Sequence, residues 1–370
     1  TVVKDFLMVA SDQKTIEAAI NTSQGEPSLA SKPNAESLFR KGVDVRNPIA
    51  YVYLPDYAGA MQTLMNVRAD ATQPSPIDMK RLQYVQSMVA GIGVEDAGLR
   101  MKAAVTMSPD APKFNYEPVP GKIISQFPAD SLALLSGGNI SQIWSQATEQ
   151  AKTDATTQQT LETMRSTTKA LNIDLDKEVF GWMDGEFGLA LIPSDRELLA
   201  QVGFGGVLVM DTSDRKTAEA TLAKLDNMAQ ANAMLVQQRE VQGKKVTEWS
   251  TPMMPGVLVG HGWLDNDSMF LALGGPMIDV LTNKPNQTIE NSANFQAAIG
   301  NLPKQNLGYF YIDMDKTMTL VNRFAAMSQS SIPAETAAIL NSIKGIGMTS
   351  TQMNSSTGEM DMLLALKKAK

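Results

Sequence analysis

The feature that most restricts what this chain can fold into is a short apolar strand that turns at once into an amphipathic helix. The clearest copy is Gly308–Arg323, GYFYIDMDKTMTLVNR. Tyr309, Phe310, Tyr311 and Ile312 are aromatic or β-branched and favour a pleated, half-buried surface. Asp313 and Asp315 then offer side-chain oxygens to the free amides of a helix start, and Met318 and Val321 follow at helical spacing. A relative stands at Ala50–Asn66, AYVYLPDYAGAMQTLMN, and the same grammar runs through Phe6–Ile20, Ser131–Trp144, Gly206–Met228 and Ser268–Leu281.

Between these units lie hairpin patterns: Gly91–Glu95 with Gly98–Met107, Gly256–Leu264 with Ser268–Leu273, and Gly345–Met353 with Glu359–Leu366. Together they predict an α+β fold of mostly antiparallel sheet covered by helices. Thr1–Ala10 reads as a strand, Ala35–Lys41 as a helical turn or two, and Glu240–Ser250 as one strand. Leu82, Val85, Met88 and Val89 recur at helical spacing and predict a helix over Ile77–Ala90. Four prolines in Ser108–Gly121 mark a linker.

The start of the chain can be laid over its end. Phe6-Leu7 falls on Phe270-Leu271, Leu38 on Phe295, and Tyr51-Val52-Tyr53-Leu54 on Tyr309-Phe310-Tyr311-Ile312. Val85, Val89 and Gly91-Ile92-Gly93 fall on Ile339, Ile343 and Gly345-Ile346-Gly347. Two related units are therefore expected: residues 1–110 as the second half of unit 1, a Pro-rich linker at 111–121, and a complete unit 2 at 122–370. The first unit then lacks its N-terminal half, with roughly 140 residues expected ahead of Thr1.

Composition excludes several chemistries. The net charge of −7 and the lack of a basic face argue against a nucleic-acid partner; Lys367, Lys368 and Lys370 read as a solvated tail. With no cysteine there is no disulfide, thiolate nucleophile or cysteine metal site, and the composition suits an oxidising compartment. The 23 methionines read mainly as core filling. No run approaches the ~20 apolar residues of a membrane span.

Three stretches carry a resemblance: Phe127-Pro128-Ala129-Asp130 before a strand, Gly181-Trp182-Met183-Asp184-Gly185-Glu186-Phe187 before Gly188-Leu189-Ala190, and Gly308–Met314. They resemble an uncharacterised, mainly cyanobacterial domain-of-unknown-function family, DUF3352. The resemblance implies an N-terminal membrane anchor, absent from this sequence, and an exported body. It supplies no activity and no catalytic residue.

Candidate chemistry is sparse. His261 is the only histidine, so any Ser–His–Asp arrangement would use it; its mid-strand setting reads as a half-buried sheet residue. Asp184 and Glu186 flank Gly185, and Asp313 and Asp315 flank Met314. A paired-carboxylate hydrolase needs two such groups across a cleft, whereas turns and helix caps need them singly. Asp265-Asn266-Asp267 lacks the glycine and distal glutamate of a calcium loop. Gly203-Phe204-Gly205-Gly206 precedes a strand instead of following one, and Gly137-Gly138 and Gly274-Gly275 lack the lysine of phosphate loops. No catalytic, cofactor or metal residue is therefore assigned. The sequence leads to a non-catalytic exported protein of the periplasm or thylakoid lumen, structural or assembly-related, with a protein partner at a membrane complex. The alternatives are a carrier of lipid or pigment in a sheet-lined cavity and, more weakly, a hydrolase using Asp184 and Glu186.

Overall fold

The computed structural model describes residues 1–3, 6–10, 12–31, 43–67, 82–111, 113, 116–152, 155–283, 285–328, 331–354 and 356–368. Val2–Val3 (β1) and Phe6–Leu7 (β2) form a small separate hairpin. The other strands are Pro48–Leu54 (β3), Val85–Glu95 (β4), Gly98–Met107 (β5), Ala133–Gly138 (β6), Glu186–Pro193 (β7), Phe204–Asp211 (β8), Leu235–Val241 (β9), Lys244–Thr251 (β10), Met254–Trp263 (β11), Ser268–Leu273 (β12), Tyr309–Asp313 (β13), Ile343–Asn354 (β14) and Thr357–Leu366 (β15). They join in one 13-stranded antiparallel sheet, ordered β3-β4-β5-β15-β14-β13-β6-β7-β8-β12-β11-β10-β9. The α+β class, mostly antiparallel and helix-covered, is as the sequence predicts.

Two ladders in this sheet share a register. Tyr53 pairs with Val89 in β3–β4, and Tyr311 pairs with Gly347 in β13–β14, so one shift of 258 carries both members across. The ladders β4–β5 and β14–β15 carry a bulge at the same place, between Val85 and Ser87 in one and Ile343 and Gly345 in the other. The pairing of Tyr51–Leu54 with Tyr309–Ile312 follows this register. The overlay of Gly91-Ile92-Gly93 on Gly345-Ile346-Gly347 does not: the matching bulges put Ser87, not Gly91, at the place of Gly345. The overlay of Phe6-Leu7 on Phe270-Leu271 has no counterpart either, because Phe270 and Leu271 lie deep in the main sheet. Leu38 and Ala35–Lys41 lie outside the described residues.

Strand β5 meets β15 antiparallel, with Lys102 opposite Asp361. The junction is tied by Arg100, whose Nε donates to Asp361 Oδ1 at 2.9 Å and whose Nη1 lies 3.2 Å from Glu95 Oε1. Burial raises the cost of that charge, but the Asp361 hydrogen bond outweighs it and holds the guanidinium's pKa above its ordinary value. Within the Pro-rich linker, residues 116–121 are anchored: Val119 N donates to Asn306 O at 2.8 Å and Tyr116 N to Gln352 Oε1 at 2.8 Å.

The main core lies on one face of the sheet. Leu134, Ala190, Val207, Ala272 and Tyr311 point into it, covered by Phe127 and by the helices Gly275–Thr282 and Ala293–Ile299. On the opposite face, the helix Arg215–Ala231 packs Ala218 and Leu222 over Met210 and Met269. Met314 and Met318 of the helix Met314–Met327 pack on Ile312, Ile346 and Leu364. Asp313 caps that helix as its spacing predicts, accepting from Lys316 N at 3.1 Å.

Three local expectations fail. Thr1–Ala10 is not one strand, because Val2–Val3 pairs back on Phe6–Leu7. The predicted helix Ile77–Ala90 is already strand at Val85. Val85, Met88 and Val89 satisfy two periods at once, and a strand apolar on both faces wins because it lies inside a sheet. Glu240–Ser250 is not one strand: it holds the end of β9, a turn at Gln242 and Gly243 with φ 51° and 75°, and most of β10. Such a pair suits the twist of tight hairpins.

Candidate binding face

Successive residues of a strand face opposite sides, so paired residues across a sheet form rows. One row runs Phe310, Leu135, Leu189, Leu208, Leu271 through β13, β6, β7, β8 and β12. It lies on the face opposite the main core. Leu135 and Leu189 are each 44% exposed, and Leu191 and Leu273 beside them are 36% and 49% exposed. Central strands normally carry such residues under a helix. Here two helices border the row: Leu208 packs against the cluster under Arg215–Ala231, and Ile312, beside Phe310, packs under Met314–Met327. Met314–Met327 is tied down where Arg323 Nη2 donates to Ala200 O at 2.6 Å, and Arg215–Ala231 covers Met210 and Met269 further along. The result is an apolar floor between helical borders. The sequence showed each leucine as part of a strand; only the pairing register aligns them.

A second apolar feature lies near the β5–β15 junction. A half-open groove of about 570 Å³ is lined by Tyr57, Met88, Val105, Met107, Tyr116 and Met360, among others. Burial pushes the Tyr116 phenol above its ordinary value. Glu359 borders the same region; burial raises its carboxyl pKa, and its Oε1 has no hydrogen-bond partner among the described residues.

The residues weighed for chemistry are separated and structurally occupied. His261 is buried, with Nε2 at 2.8 Å from Asp226 Oδ1. That oxygen also accepts from Trp249 Nε1 at 2.7 Å. One carboxylate of the helix Arg215–Ala231 thus clamps two strands; Asp226 is 35 residues from His261 in sequence, and no spacing signals the contact. Asp184 accepts from the backbone and hydroxyl of Ser213 at the entry to that helix. Glu186 accepts from Ile123 N at 3.0 Å, holding the 3-10 turn Lys122–Gln126. The two carboxylates serve different segments.

Asp313 and Asp315 gather Asn294, Lys316 and Lys367 around them. Burial raises the Asp315 pKa, but hydrogen bonds from Lys367 and Asn294 outweigh it and hold the group below its ordinary value. Asp265 accepts from the amides of Asp267 and Ser268, and Arg215 donates to the Asp265 and Asn266 carbonyls while stacking on Trp263 at 4.1 Å. Gly203 is a left-handed helix stop at φ 78°, and Gly274 begins a helix at φ 93° with no side-chain cap. Gly137 and Gly138 lie inside β6. Among the described residues, no group of three or more His, Cys, Asp or Glu side chains could hold a metal ion, and no helix is long and apolar enough to cross a membrane.

The family described as "Protein of unknown function (DUF3352)" matches residues 1–366. The chain belongs to the DUF3352 family. No curated protein matches it. A solved structure titled "Structure of crystal form III of TP0453" aligns with 69% of this chain and 83% of its own, at 9% identity and a TM-score of 0.33. A likeness that slight carries no argument about the DUF3352 chain.

Proposed function

We propose that this DUF3352 chain is a non-catalytic binding or assembly protein, exported to a periplasm or thylakoid lumen and working beside a membrane complex. The observation that carries the reading is the uncovered leucine row. Apolar patches that interrupt an otherwise polar surface mark interaction sites, and this one sits on rigid central strands between helical borders. The net charge of −7 and the absence of cysteine fit an extracytoplasmic, non-nucleic-acid role. The separate structural duties of Asp184 and Glu186 favour this reading over a carboxylate hydrolase.

The test is co-purification from native membranes, comparing the wild type with Leu135→Glu/Leu189→Glu. Both side chains are exposed, so the variant should keep its melting temperature and lose its stoichiometric protein partner. Equal recovery of the partner by both forms would sink the proposal.

The groove lined by Met88, Met107 and Met360 favours a second reading, a carrier of a small apolar molecule. Its volume suits a ligand of modest size. Native mass spectrometry of the protein extracted from its source membrane separates the two: a retained small molecule in one-to-one ratio supports the carrier.

A further inference from the structure

The hairpin of β10 and β11 outruns the strands on either side of it. β9 starts at Leu235, opposite Ser250, and β12 stops at Leu273, opposite Val259. Past those points the chain continues through Thr251, Pro252, Met253, Met254 and Pro255 before it returns. At ~3.3 Å per residue, Met253 stands about 10 Å beyond the last pairing of β9. Met253 is 91% exposed and Met254 47%, with Leu235 48% exposed at the foot.

The chemistry of this tip differs from that of its neighbours. Other hairpin turns of the sheet are polar: Asp96-Ala97 follows Glu95 between β4 and β5, Gln242-Gly243 precedes two lysines between β9 and β10, and Asp265-Asn266-Asp267 joins β11 to β12. From Trp249 to Leu264 there is no Asp, Glu, Lys or Arg. The backbone is also suited to an apolar medium, where amides need partners within the chain. Pro252 and Pro255 have no amide hydrogen. Met253 N donates to Thr251 Oγ1 at 3.3 Å, and Met254 is laddered opposite Thr251. The same prolines make the tip a poor template for an added strand. No side chain from Pro252 to Pro255 offers the hydrogen bonds that orient a protein partner. Fluid hydrocarbon requires none, and unbranched methionines adapt to it.

We propose that the Pro252–Pro255 tip docks the protein on a lipid bilayer, with Met253 and Met254 entering the boundary between headgroups and acyl chains. Its reach of about 10 Å matches the roughly 5–10 Å that interfacial segments bury. Glu197, beside Gly256 at the foot, stays among the headgroups. A net charge of −7 supplies no attraction to anionic lipid. Apolar burial therefore drives the contact, and uncharged lipid is preferred. The inference stands on the hairpin tip and does not depend on the leucine row.

The test uses the whole chain and vesicles of phosphatidylcholine. The protein has no cysteine, so Met253→Cys and Asn266→Cys each accept a single environment-sensitive fluorophore. Asn266 lies past the other end of β11 and serves as the control. The expected result is a blue shift of the label at position 253, with quenching by lipids brominated on their acyl chains, and neither effect at position 266. Met253→Asp/Met254→Asp should bind the vesicles more weakly by about tenfold or more. Its melting temperature should not change, because both side chains are exposed. Binding should survive high salt. The proposal is overturned by an unshifted label at position 253 at the highest lipid concentration, by an equal shift at position 266, by equal binding of the double variant, or by release in salt. It is also overturned if the label at position 253 is shielded without vesicles and more so at higher protein concentration, because a second copy then covers the tip. Shielding by the protein partner recovered from native membranes, but not by vesicles, would make a protein the occupant and sink it equally. Leu135→Glu/Leu189→Glu should leave vesicle binding unchanged, so failure of the proposed function and failure of this inference are read separately.

Discussion

Asp226 illustrates how little of the residue-scale chemistry depends on neighbours in sequence. Its carboxylate holds both Trp249 and His261, and removing it strands two polar groups, one of them on a buried ring. Asp226→Ala should therefore cost about 1–3 kcal/mol, the usual penalty for orphaned buried donors. Thermal unfolding would read the loss, and Trp fluorescence should shift as the indole loosens. Glu359 acts in the other direction. Burial raises its folded pKa, so the native state is penalised once the group ionises, and stability is lost as pH rises through that raised value. Glu359→Gln should raise the melting temperature near neutral pH, with the gain shrinking toward about pH 4, where wild type and variant converge. Asp176 has the opposite sign: its hydrogen bond from Arg165, aided by Trp144, lowers its pKa. That contribution is present above the ordinary aspartate value and fades as pH falls, and its exposure keeps it small. The cap at Asp313 is readable from sequence because its target lies three residues on; the His261 clamp is not, because its partner comes from a distant helix.

Strand and helix identity was legible where one period dominated, as in the helix Arg215–Ala231 and in β13. It failed at β4, where Val85, Met88 and Val89 fit either period and only membership in a sheet decides. The leucine row was invisible for a related reason. Alternation says which side of its own strand a residue takes, and the row exists only through the register of four successive pairings. Close packing at element scale gives a sharp prediction at Gly347. A methyl group there would collide with the Ala298 carbonyl of the covering helix Ala293–Ile299. Because backbone cannot rotate away as a side chain can, Gly347→Ala should destabilise by about 1–3 kcal/mol. Faster exchange confined to that helix and β14 would accompany the loss; an unchanged melting temperature would mean the helix rides further from the sheet than its geometry indicates.

At the scale of the molecule, one sheet runs unbroken from β3 to β9, and the β5–β15 pairing joins its first three strands to the rest. Arg100 is the polar tie across that joint; its side chain is 13% exposed and that of Asp361 9%. Removing one member of a pair buried this far leaves the other charge uncompensated, at a cost of about 3–5 kcal/mol. Arg100→Ala should therefore loosen β3–β5 ahead of the remaining strands, visible as a second, earlier unfolding transition or as selective exchange in β4 and β5. A single transition at the wild-type temperature would contradict it. The sequence pointed to the likeness of Tyr51–Leu54 and Tyr309–Ile312, but not to their joining one sheet, since nothing local specifies which edges meet.

The joint also has a polarity. Across it Lys102 stands opposite Asp361 and Arg100 reaches the same carboxylate, so β5 brings basic side chains to an acidic one on β15. Were either arm to meet its own twin from a neighbouring molecule, like charges would face each other across the symmetry axis. Opposite signs make the covalently tethered mate the favoured one, so each molecule closes on itself and exchange of arms between molecules is disfavoured.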